Sequence, residues 1–94
     1  MEPIRFRSKI RYWNPEKASG LAVADVPTEL IPAFGGLKQQ RVRGSLGAVE
    51  FTSNVMPAGA GRLALSVSKA MMAGAGASVG DDVEVAVIVV GAAT

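Results

Sequence analysis

The sequence contains no cysteine and no histidine. The first absence excludes disulfides, thiolate catalysis and Cys-ligated zinc or iron–sulfur centres. The second removes the commonest general base and the commonest transition-metal ligand, so neither a Ser–His–Asp nor a Cys–His mechanism can be assembled from this chain alone. Carboxylate, Lys, Ser/Thr and Tyr chemistry remain. Aromatic residues are scarce, at 5% of the chain, so Val and Leu must line the core. No apolar run approaches the roughly 20 residues of a membrane-spanning helix; the longest runs from Val85 to Ala93. The first residues, Met1-Glu2-Pro3-Ile4-Arg5-Phe6-Arg7, lack the apolar stretch of a secretory signal. The expectation is a cytoplasmic protein with no membrane association.

The composition is that of a folded chain. Its 94 residues correspond to one domain, residues 1–94. The apolar share is 49%, of which fifteen residues are Ala; Val, Ile, Leu and Phe supply 25 more, above the level of disordered chains. The net charge is only +2. The isoelectric point near 9.4 reflects a missing buffer: without His or Cys little titrates near neutrality, and a small positive excess moves the crossing point far upward. The charge is unevenly spread. Residues 1–13 hold four cations and Glu2, net +3, while the rest hold six cations and seven acids, net −1.

Hydrophobic periodicity predicts mostly strands. From Ile4 to Tyr12 the period is two, with Ile4, Phe6, Ser8, Ile10 and Tyr12 on one face and Arg5, Arg7, Lys9 and Arg11 on the other. Trp13–Lys17 breaks this strand. A second strand spans Gly20–Val26. Pro27-Thr28-Glu29-Leu30-Ile31 opens a short helix, with Pro suited to its first turn and Glu29 to its positive start; Pro32 and Gly35-Gly36 end it. Gln40–Leu46 and Ala48–Val55 pair as a hairpin around Gly47, followed by a loop over Met56–Gly61. Arg62–Val67 is a further strand. Ser68 caps a short helix through Ala73, ended by Gly74 or Gly76. After a Ser78–Asp81 turn, Asp82–Val90 forms the last strand, and residues 91–94 are a frayed tail. Leu21-Ala22-Val23 before a Pro27-led turn echoes Leu63-Ala64-Leu65 before a Ser68-led one, a faint internal repeat.

Several segments together resemble the bacterial domain-of-unknown-function family nineteen-oh-five. They are the strand ending Tyr12-Trp13, Val26-Pro27-Thr28-Glu29-Leu30, Val42–Phe51, the Gly59–Gly61 loop before Leu63–Lys69, and Val79-Gly80-Asp81-Asp82-Val83-Glu84-Val85. The resemblance implies a mainly β fold, a small double-split, AbrB-like β-barrel of about six or seven strands with two short helical turns. The chain departs from the family at Met71-Met72, where a basic residue is common. The resemblance carries no functional residues.

The strongest candidate site is Arg5, Arg7, Lys9 and Arg11, joined by Arg43 and Arg41. Cations at every second strand position, roughly 6.6 Å apart, match a phosphate backbone. Tyr12 and Trp13 beside them form a candidate ligand platform able to stack on bases. The plainer reading is a solvated strand face, or an edge guarded by charge. The Gly59–Gly61 and Gly74–Gly80 stretches fail as phosphate loops, because Gly74 closes a helix and no Gly-Lys-Ser/Thr follows. Asp81 and Asp82 point to opposite faces of a strand, which suits Asp81 to a local turn bond. Gly44-Ser45-Leu46-Gly47 is no nucleophile elbow. Met71-Met72 reads as core or interface filling.

The reading is therefore a non-enzymatic module without cofactor or metal, binding a protein or small ligand at a barrel end, possible as a homo-oligomer through its Val-rich last strand. The alternative is an AbrB-like nucleic-acid binder using the cationic first strand. An enzyme subunit completed by another chain ranks third.

Overall fold

Strand periodicity translates directly into a closed barrel. A computed structural model describes residues 3–14 and 21–92. Six strands, β1 (Ile4–Tyr12), β2 (Ala22–Asp25), β3 (Gln40–Leu46), β4 (Val49–Gly59), β5 (Arg62–Val67) and β6 (Asp82–Ala92), close in the order β1-β2-β5-β4-β3-β6. Every pairing is antiparallel. A 3-10 turn at Thr28–Phe34 and a helix, α1 (Lys69–Ala75), complete the fold. The fold is thus mainly β, as expected. The inward residues Ile10, Val42, Leu46, Val55, Leu63, Leu65, Val85 and Val87 are fully buried. Alternate positions of the six strands point to one axis, and the core they form is mostly aliphatic, joined by Phe6, Phe34, Phe51 and Met71.

The barrel is split twice. β1 pairs β6 through Ile4–Lys9 but β2 only through Ile10–Tyr12. Phe34 from the 3-10 turn fills the gap left beside β2, its ring 6.4 Å from that of Phe6 in an edge-on contact. The Gln40 side-chain amide, the one buried polar side chain among the described residues, donates to the Phe34 carbonyl and pins the turn. Likewise β4 pairs β3 through Val49–Val55 and β5 only from Val55 onward, and α1 packs against β4 beside the second gap.

These splits are related. Exchanging the half β1-β2-turn-β3 with β4-β5-α1-β6 leaves the strand order unchanged. The registers agree: Ile10↔Ala24 falls on Val55↔Leu65, and Ile4↔Val87 falls on Val49↔Leu46. Phe6 then corresponds to Phe51. The sequence echo of Leu21-Ala22-Val23 in Leu63-Ala64-Leu65 is one residue out of phase with this repeat, which sets Ala22 on Leu63 and Ala24 on Leu65.

Three strands end elsewhere than expected, the first being β2, which stops at Asp25 rather than Val26. β4 continues through Pro57 to Gly59, where a loop was expected. Beyond Val55 this strand has only β5 as neighbour, so the missing N–H of Pro57 breaks no ladder with β3. β6 continues through Gly91 and Ala92, which pair with Arg41 and Gln40 across a bulge, rather than fraying; residues 93–94 lie outside the described residues. Of the two glycines expected to end α1, Gly76 does so, and the helix runs through Ala75 rather than Ala73. Gly20 and residues 15–17 of the expected β1–β2 connection also lie outside the described residues. The β3–β4 hairpin turns at Gly47, whose φ of 59° suits the first central position of a two-residue loop.

Candidate functional site

Across the barrel wall, register decides which expected cations stay free. Arg7 lies opposite Glu84 and Lys9 opposite Asp82 on β6. Arg7 and Glu84 approach to 3.5 Å, but both are well exposed, so the pair contributes little. Arg11 is different. Its Nε donates to one Asp25 oxygen at 2.6 Å and its Nη2 to the other at 2.9 Å, a two-pronged bridge. The bridge spans β1 and β2, where the outward Val23 and Ala64 beside it are fully buried. The wholly cationic face read from β1 is therefore ion-paired at Arg7 and Arg11, while Lys9 only faces Asp82 in the register. Arg5 of β1 and Arg43 of β3 keep no carboxylate partner among the described residues. Arg41 is exposed on β3.

The Arg11 hydrogen bonds hold the Asp25 carboxyl below the ordinary carboxylate range, against the opposing effect of partial burial and with added help from the charges of Arg11 and Arg62. A depressed folded value means stability that is present above the unfolded value and lost as pH falls through the folded one. Asp25→Asn is therefore expected to lose about 1 kcal/mol at neutral pH. The difference from wild type should shrink below roughly pH 4. Urea midpoints at pH 7 and pH 2.5 check this; an equal gap at both pH values would contradict it.

At one end of the barrel, the termini of β1 and β2 and one flank of α1 enclose a groove of about 840 Å³. Its walls are Leu21, Val67, Met72 and Val79, with Tyr12 and Lys69 among its polar groups. Local sequence explains its shape. Ser68 caps α1 by accepting from the Met71 N–H at 3.1 Å, and the Met71 sulfur accepts in return from the Ser68 N–H at 3.4 Å. This is a capping box with a thioether where Glu or Gln usually stands. It sends Met71 into the core and leaves Met72, one residue on, half-buried in the groove wall. On the far side, the Asp81 carboxylate accepts from the Ser78 N–H at 2.9 Å, the local turn bond expected of it, and sets the Ala77–Val79 rim.

Of the two residues of the expected aromatic platform, Tyr12 lines this groove. Trp13 is 38% exposed just beyond it and donates its backbone N–H to the Leu21 carbonyl. Leu21, Lys69 and Val79 carried no signal of their own in the sequence. Met72 carried one, as an apolar residue beside a capped helix start. Among the described residues, no three acidic side chains gather to hold a metal.

A closed six-stranded barrel with two helical plugs and a groove at one end defines a small β-barrel domain. The family described as a domain of unknown function (DUF1905) matches residues 6–87, and the chain belongs to that family. No curated protein matches it. No helix among the described residues is long and apolar enough to cross a membrane.

Proposed function

We propose that this domain is a non-catalytic binding module whose barrel-end groove takes a small molecule with an apolar body and an anionic head. The observation that carries this reading is the composition of the groove: apolar walls from Leu21, Met72 and Val79, with the Tyr12 phenol and Lys69 ammonium beside them. Its volume of about 840 Å³ lies in the range of small-molecule sites. Lys69 supplies the charge that selects an anionic head. The Ser68 hydroxyl is committed to the helix cap, which leaves it unsuited to nucleophilic work.

The test uses 1-anilinonaphthalene-8-sulfonate, an aromatic anion. Its emission should rise saturably on titration, with a matching change in Trp13 fluorescence. Met72→Asp should weaken binding at least 10-fold, and Lys69→Gln by several-fold. No saturable rise, or equal binding in both variants and wild type with unchanged thermal melts, would overturn the reading.

AbrB-like nucleic-acid contact through β1 remains the second reading. It rests on the exposed Arg5, Arg41 and Arg43, since Arg7 and Arg11 are paired.

A further inference from the structure

We propose a second site, distinct from the groove, for a compact phosphate oxyanion: a phosphomonoester on a small hydroxylated molecule. It lies on the outer wall, where β1 and β3 flank β6. The register sets Arg5 beside Ala86, Ala86 beside Ser45, and Ser45 beside Glu50, in one row across four strands. The next row sets Ile88 beside Arg43 and Arg43 beside Thr52. Arg5 and Arg43 thus approach the middle of the wall from both sides of β6, and both line one open hollow of about 780 Å³. Its floor is low because the central outward position on β6 is Ala86.

Three features favour an anion there. Arg5 and Arg43 are unpaired among the described residues, while Arg7 and Arg11 each hold a carboxylate. Two guanidinium forks together offer the parallel donors that a phosphate accepts. The Ser45 and Thr52 hydroxyls line the same hollow and, among the described residues, donate to no protein acceptor. Glu50, also in the hollow, defines the rest of the ligand. Its carboxylate repels an extended polyanion but accepts from a hydroxyl. A phosphate at the arginines with a hydroxyl at Glu50 satisfies both; a nucleic-acid backbone does not.

Isothermal titration with orthophosphate, glycerol 1-phosphate and a 20-mer of thymidylate tests this. Glycerol 1-phosphate should bind saturably and more tightly than orthophosphate. Arg5→Gln and Arg43→Gln, both at exposed positions, should each weaken it at least 10-fold, while Arg7→Gln should change it less than 2-fold. Glu50→Gln should bring the two phosphates closer in affinity. Absence of saturable binding, or equal losses in Arg7→Gln, would overturn the site. Oligonucleotide binding with a steep salt dependence that needs Arg5 and Arg43 would instead assign these arginines to nucleic acid. Dye binding in the barrel-end groove should persist in both arginine variants, so the two sites fail independently.

Discussion

Gly44→Ala is expected to destabilise the barrel by at least about 3 kcal/mol, and Gly44→Val to leave no folded protein at room temperature. Gly44 pairs with Val87 of β6. A Cβ there would sit 1.8 Å from the Ala86 carbonyl oxygen and 2.7 Å from the Val87 Cα. Both obstacles are backbone, so no side-chain rotation relieves the clash. Only separation of β3 from β6 would do so, and that pairing runs from Gln40 to Leu46. A domain of this size holds roughly 5–15 kcal/mol in all, so the loss removes a large share. Urea titration followed by far-ultraviolet circular dichroism measures it. A Gly44→Ala midpoint within experimental error of wild type would show that the strands can part cheaply.

Phe34→Ala is expected to cost about 3–5 kcal/mol. The ring is 1% exposed and plugs the split beside β2. Its removal deletes the edge-on contact with Phe6 and opens the core at a place where no strand can slide in. The hydrogen bond from the Gln40 side-chain amide to the Phe34 backbone carbonyl survives the substitution, so the loss measures packing rather than the turn's anchor. Phe34→Leu, which keeps most of the volume, should cost less than half as much. Equal losses for the two variants would point to the turn itself as the weak element.

Local signals made much of this fold legible. β1, β3 and β5 have the limits that period-two alternation and the flanking turn residues marked, because each strand carries its own pattern. Pro57 hid the rest of β4, since a proline reads as a strand breaker until it is known which edge lacks a partner. The candidate sites were harder. Arg11 looked identical to Arg5 in sequence; only the register of β1 against β2 brings Asp25 to it. Gly44 read as an ordinary strand glycine, because nothing local states what passes over it. The groove draws on Tyr12, Leu21, Lys69 and Val79, residues that closure of the barrel alone brings together.

The twofold repetition of the barrel gives the molecule two equivalent addresses, and they are furnished differently. Where one has Tyr12 opposite Ala22, the other has Pro57 opposite Leu63, a fully buried leucine. One plug is an aromatic turn and the other a methionine-bearing helix. Duplication thus separates two duties that a single copy would have to share. The Phe34 plug can be held to tight packing while the exposed side of the α1 plug varies, so changes in the groove wall at Met72 need not be taken from the plug that keeps the barrel closed.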